Sequence, residues 1–342
     1  MPIDDERGNV APRTDELRGS RARSRGCTVQ GHSATVDAPA AFRHSFRANQ
    51  VISLWTRHAL GYLRASTGLC HGVLVGNSLG AYLRGRRATV HPDEHVSVAD
   101  DRRVPGLRAE EVARLAGISP SYYRRLEQGG VAAPSRQVLA RLADALQLDA
   151  SGADYLARLA GLQRFSEPAL VEPGQLSSWL ARILAQWDHV PAVVQTRNFD
   201  VVLANPLFER LTVGYVVPGA NCVELAFTLD GAREMPDWKT TAEHIVGALR
   251  YYGDPADPRF RELTGGLLVR DRDFRRMWAR YEARPYDAGR TWHMPAGSSG
   301  FFLDFRNLVI PGSGGHVLTV FIAEPGTPGQ AELMRLRETD AG

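Results

Sequence analysis

The segment Leu107–Gly129, LRAEEVARLAGISPSYYRRLEQG, places two short apolar-periodic runs around a single glycine, and this spacing is the tightest constraint in the chain. Two helices that cross steeply need a small residue where they touch and a glycine in the turn, and Ala113 and Gly117 stand at those places, with Ile118 and Tyr123 as their buried neighbours. Ser119 followed by Pro120 starts the second helix: the hydroxyl accepts from orphan amides and proline presets the first helical φ. Gly129–Gly130 stops it. An ordinary helical hairpin shares the alanine and glycine. It does not call for the exposed face of Ser121, Tyr122, Arg124 and Arg125, so a helix-turn-helix that reads nucleic acid is expected.

The surrounding residues complete an all-α unit over 76–162. Leu79, Tyr82 and Leu83 share one helical face, and Val112, Leu115 and Ala116 another. Ser135 caps a helix carrying Val138, Leu139, Leu142, Ala143 and Leu146, and Asp149–Leu162 supplies a last one with Tyr155, Leu156 and Leu159. The expectation is a bundle of five helices with a long connection from Ala88 to Gly106, holding Pro92, Pro105 and Arg102–Arg103. His91 and His95 have the spacing of metal ligands on a helix, but Pro92 between them favours a solvated loop, and no metal site is expected. Residues 1–75 are rich in Arg, Ser, Ala and Gly, with no sustained apolar period. Two readings stand: a disordered extension, or a stretch upstream of a natural start at Val73 or Val75.

After a hinge at 163–174 with Pro168 and Pro173, a second unit is expected over 175–338, followed by a tail at 339–342. Leu176, Trp179, Leu180, Ile183, Leu184 and Trp187 have helical spacing. The period then changes to that of strands: 191–195 and 199–203 read as a hairpin, and Asn205 caps a short helix. Helices are expected at 237–252, 257–268 and 271–282, and strands at 291–295, 301–310 and 316–323. This is an α+β arrangement whose antiparallel sheet is closed by the last strands.

Composition excludes several classes. The three cysteines, Cys27, Cys70 and Cys222, form no CxxC pair, so neither a zinc ribbon nor a secreted disulfide framework is available, and a reducing cytoplasm is expected. The early apolar stretch 51–75 is broken by Arg57, His58 and Arg64, which argues against a membrane span. Basic residues exceed acidic ones in the first half and fall below them after 165, as a DNA contact near the N-terminal half requires. Of 41 basic residues only Lys239 is lysine, and no glycine loop precedes it, so a Walker-type phosphate loop is absent. No catalytic constellation emerges: 297–300 lacks the GxSxG spacing and 312–315 reads as a hairpin turn.

The stretch 77–162 resembles the DNA-binding domain of Cro and λ-repressor-like regulators, the XRE family. The resemblance implies that Ser119–Gln128 is the recognition helix. Ser121 and Arg125 then face base edges, with Arg125 able to fork onto guanine, while Ser119, Tyr122, Arg124, Arg108 and Arg136 contact the phosphate backbone or groove edge. Ala109 stands where many relatives carry glutamine, and Pro120 has no N–H to donate.

Residues 170–338 resemble the MmyB-like ligand-binding domain of actinobacterial regulators. Three segments carry the likeness: Val202–Asn205, Leu267–Tyr281 and Ala323–Thr327, together with the run Val104–Arg108. The resemblance implies a PAS-like sheet holding a small apolar, fatty-acid-like ligand, with no other cofactor. Phe274, Met277, Trp278 and Tyr281 recur at helical spacing, which suits core packing first and pocket lining second; Trp187, Trp238 and Phe301 share that ambiguity. Tyr281 stands where histidine is expected in many relatives. Arg270, Arg276 and Arg280 are candidates for a ligand carboxylate or for plain surface.

The chain is thus expected to be a non-enzymatic, sequence-specific transcription regulator, cytoplasmic and nucleoid-associated. It would bind double-stranded DNA as a homodimer and sense a small ligand. The competing reading gives the second unit only a dimerisation or partner-binding role.

Overall fold

The computed structural model describes residues 78–91, 106–131, 134–165, 169–170 and 173–338. The expectations for 1–75, Cys27, Cys70, Pro92, His95, Arg102–Arg103 and 339–342 lie outside the described residues.

The helical region contains α1 (Leu79–Thr89), α2 (Ala109–Leu115), α3 (Pro120–Glu127), α4 (Arg136–Ala145) and α5 (Ala150–Leu159). Their starts follow from capping chemistry: Ser78, Ser119, Ser135 and Asp149 accept from Ala81, Tyr122, Val138 and Gly152 amides at 2.7–3.3 Å. Tyr82, Leu83, Val112, Ala113, Tyr123 and Leu156 form the centre of the core. Gly117 takes φ +63° in the turn between α2 and α3, a left-handed conformation that glycine adopts without strain. Leu115, expected on the buried face, is 52% exposed. The buried line of this short helix runs through Val112 and Ala116, four apart, and leaves Leu115 on the solvent edge.

α1 is packed unusually closely. A Cβ on Gly80 would stand 2.1 Å from the Glu127 carbonyl oxygen at the end of α3. Arg87 adds a forked ion pair to Glu127, with Nε at 2.8 Å and Nη2 at 3.4 Å, and Arg84 donates to the Glu127 carbonyl.

In the second region, α6 (Pro173–Leu184) precedes β1 (Ala192–Gln195), β2 (Val201–Ala204), α7 (Pro206–Leu211) and α8 (Cys222–Thr228). Then come α9 (Trp238–Tyr252), α10 (Pro258–Arg270), α11 (Arg272–Trp278), β3 (Ala288–His293), β4 (Phe301–Val309), β5 (Val317–Ile322) and α12 (Pro328–Glu338). The five strands make one antiparallel sheet in the order β2-β1-β5-β4-β3, so the last strand inserts between the first hairpin and β4. One sheet face packs on α6 through Leu176, Leu180, Ala192, Val194 and Leu318. The other carries Val193, Phe301, Leu303, Phe305 and Phe321 against α7 and α12. A third cluster joins α8 to α11 around Phe227, Leu249, Phe260 and Phe274.

Asn205 ties the hairpin to the helices. Buried, it accepts from Ala192 N at 3.1 Å and Phe208 N at 3.0 Å, and donates to the Trp187 and Val190 carbonyls, both at 2.7 Å. The expected helix through Trp187 stops at Leu184, and that through Glu282 stops at Trp278. Two helices were not expected from periodicity. α8 is short and started by Asn221, which accepts from Val223 N and Glu224 N; α12 opens at Pro328 and lays Leu333 and Leu336 on the sheet.

Gly80→Ala is therefore expected to lower stability by about 1–3 kcal/mol through overpacking, although alanine in a free helix would gain about 1 kcal/mol. Urea unfolding measures the sign. A stabilised variant would mean that α1 does not sit against the α3 terminus.

Candidate nucleic-acid interface and ligand cavity

α3 is held by its buried side, Tyr123, Leu126 and Glu127, and turns Ser121, Arg124, Arg125 and Gln128 to solvent. The Ser119 hydroxyl accepts from Tyr122 N at 3.2 Å and lies 3.2 Å from the Ser121 hydroxyl, so the helix start is fixed by the residue next to its first exposed side chains. Tyr122 is half-buried against the bundle. Arg124 pairs with Glu110 of α2, and Arg125 donates to the Gly130 carbonyl at 3.3 Å. Arg108 precedes α2 and Arg136 opens α4, both exposed. These cations flank an α3 whose free side carries two more guanidinium groups.

The second region holds two adjoining, half-open cavities of about 250 and 190 Å³, which share Thr212, Val216, Cys222, Thr241, Thr291 and His293 as wall residues. The larger lies between the inner sheet face and α9, with Phe208, Ile245, Tyr286, Phe305 and Phe321 as its apolar wall. Its polar groups are mostly engaged. Tyr252 donates to Asp287 at 2.6 Å, and Thr319 to Asn307 at 2.6 Å; Thr291 lies 2.9 Å from His293 Nε2. The buried Gln195 Oε1, where the β1–β2 register slips, has no hydrogen-bond partner. Burial pushes the Cys222 thiol up to about 12, which keeps it protonated, and lowers His293 to about 4, which keeps its ring neutral.

The six aromatic candidates are dispersed. Trp238 lines the smaller cavity and donates from Nε1 to the Ala226 carbonyl at 2.7 Å. Phe274 and Trp278 stack on each other, centroids 5.4 Å apart, inside the α8–α11 core, and neither lines these cavities. Phe301 is buried on the inner sheet face against α7 and α12, and Trp187 packs beneath α6 on the outer face. Tyr281 turns away from the cavities, onto the helical region. Arg270, Arg276 and Arg280 line neither cavity; Arg276 pairs with Asp273 and Arg280 with Glu243. The walls that were not anticipated come from alternate residues of β3 to β5, such as Thr291, His293, Phe305 and Phe321. Two-residue alternation marks such positions as one face, but only strand order decides which face is covered.

The hydroxyls at the glycine turns are structural. Ser298 Oγ accepts from Gly300 N at 3.0 Å, and Ser313 Oγ donates to the Ile310 carbonyl at 2.6 Å while accepting from His316 N at 2.9 Å. Among the described residues no helix is long and apolar enough to cross a membrane, and no group of three or more His, Cys, Asp and Glu is placed to hold a metal ion.

His293 makes stability pH-dependent. Its folded value of about 4 lies below the value of about 6.5 for a free imidazole. Between those limits the unfolded chain holds more protons, so stability is full above pH 6.5 and falls on acidification. Going from pH 7 to pH 5 is expected to cost roughly 1–2 kcal/mol at this residue, and His293→Gln to remove that part of the thermal-unfolding profile. An unchanged profile would place a protonated His293 in the fold.

Comparison with known proteins agrees with the two regions. Residues 78–156 match the family model of a helix-turn-helix domain, and residues 176–336 that of the MmyB-like transcription regulator ligand binding domain. No curated protein matches the chain. A solved structure titled "Structure of an RNA-binding Light-Oxygen-Voltage Receptor" aligns at 13% identity over 88% of this chain and 69% of that one, with a TM-score of 0.23, too low to support any argument. The chain joins a helix-turn-helix domain to an MmyB-like transcription regulator ligand-binding domain.

Proposed function

We propose that this protein is a sequence-specific DNA-binding transcription regulator, with domains at 76–162 and 175–338, whose C-terminal domain senses a small apolar, fatty-acid-like ligand. The observation that carries the reading is the free side of α3: Ser121, Arg124 and Arg125 are exposed together, and exposed Arg108 and Arg136 stand at the starts of α2 and α4. Arg125 reads a base edge by its planar fork, with Ser121 beside it, while Ser119, Tyr122, Arg124, Arg108 and Arg136 set the register on phosphate and groove edge.

The adjoining cavities, with their apolar walls, are the ligand site within a PAS-like sheet, and they favour a sensor over a domain that only dimerises. The protein acts as a homodimer in the cytoplasm, associated with the nucleoid, because two recognition helices must enter half-sites about one DNA turn apart.

Titration of the full chain against duplexes selected from a random pool, at two salt concentrations, tests this. Arg125→Ala is expected to cost about 1–3 kcal/mol and to relax preference at one base pair. Arg136→Ala is expected to weaken all duplexes alike and to flatten the salt slope by about one unit. Equal loss on selected and random DNA in Arg125→Ala would overturn its base-reading role.

A further inference from the structure

Three consecutive residues at the end of α9, Arg250, Tyr251 and Tyr252, face three different surroundings. Tyr252 lines the larger cavity and donates to Asp287 at 2.6 Å. Tyr251 points the other way, into the helical region: its hydroxyl donates to Asp154 of α5 at 2.8 Å, and its ring lies 4.0 Å beneath the Arg158 guanidinium carbon. Arg158 is itself buried; it donates to the Tyr251 carbonyl at 2.6 Å and pairs with Asp154 at 3.0 Å. The two tyrosine rings touch edge to face with centroids 5.0 Å apart, so a shift of one ring is felt by the other.

Arg250 supplies a second line. Wholly buried, it stacks 3.8 Å from the centre of the Trp278 ring system and donates to the Trp278 and Glu282 carbonyls at 2.6 and 3.1 Å. Those carbonyls bracket Tyr281, which holds φ at +54°. Its ring lies against α1, 2.1 Å from where a Cβ on Gly85 would stand and 6.5 Å from the Tyr82 ring. α1 grips the end of α3 through Gly80, Arg84 and Arg87.

We propose that Arg250, Tyr251 and Tyr252 are the lever through which the contents of the cavity reach the DNA-reading region: Tyr252 feels what fills the cavity, Tyr251 moves α5, and Arg250 with Tyr281 moves α1 and so the end of α3. The regulatory meaning rests on the function proposed above, but the mechanical coupling does not. Both lines consist of direct contacts between packed groups, and the last residues of a helix are where such a displacement is absorbed.

A double-mutant cycle in the full chain decides it. Val216→Trp fills the cavity from a wall residue outside α9, and Tyr251→Ala removes the link to α5. The readouts are hydrogen exchange of residues 150–159 in the protein alone and affinity for the selected duplex. Val216→Trp alone is expected to change each by about fivefold or more, and in the Tyr251→Ala background by less than about twofold. Equal effects in both backgrounds, or unchanged exchange in a folded Val216→Trp protein, overturn the lever. If circular dichroism shows Val216→Trp unfolded, Tyr252→Phe replaces it with the same outcomes, since it deletes only the hydroxyl on Asp287. A protein that selects no duplex would refute the DNA-reading function while the exchange data still decide the lever.

Discussion

A guanidinium removed from water must find partners for its hydrogens, and Arg250 finds backbone carbonyls and an aromatic face where a carboxylate would be usual. Burial lowers its pKa to about 10, so the charge persists at neutral pH. The structure around it must therefore stay in place. α11 has to end at Trp278 for its carbonyl to be available, and the chain has to turn through Tyr281 in a left-handed conformation to bring Glu282 back. That turn carries Tyr281 and Ala283 into the core of the helical region, where they close a side that α1 and α5 leave open. A cation in one domain thus settles how the other is completed. An aliphatic residue at 250 would avoid the desolvation but would take a donor from the Trp278 and Glu282 carbonyls and leave the turn unsupported.

The cavity follows the same economy of charge. Asp287 accepts from Tyr252, Asp237 accepts from Thr241 and from Trp292 N at 3.0 Å each, and Arg197 lies 4.0 Å from Asp257. With His293 neutral and Cys222 a thiol, neither of these two wall residues adds a charge to the apolar surface. The partnerless Gln195 Oε1 lies at the slip in register between β1 and β2.

Local chemistry was legible in the sequence. Caps at Ser119, Ser135 and Asn205, the Gly117 turn and the β1–β2 hairpin follow from short-range rules, and the structure places them where those rules do. Long-range assignments were not legible. The stripe of Phe274, Met277, Trp278 and Tyr281 correctly marks a buried helix face, but spacing does not say what the face meets: three members enter the α8–α11 core, and the fourth leaves the helix and packs on another domain. Ile245 and His293 became cavity wall only through strand order and the placement of α9. Tyr251 and Arg158, 93 residues apart, meet by tertiary packing that no local pattern encodes.

One long-range signal was present in plain view. α1 has eleven residues and includes Gly80 and Gly85, each of which weakens an isolated helix by about 1 kcal/mol relative to alanine. A helix that keeps two glycines gains little from its own backbone and must be held by its neighbours. Here each glycine admits one of them, the Glu127 carbonyl at Gly80 and the Tyr281 ring at Gly85, from opposite ends of the proposed signal path. Such a helix takes its position from both contacts at once. If the Tyr281 side shifts, α1 has little intrinsic stability with which to resist, and the Arg87–Glu127 pair carries the displacement to α3. The residues that make α1 a poor helix by itself are those that make it responsive between the two domains.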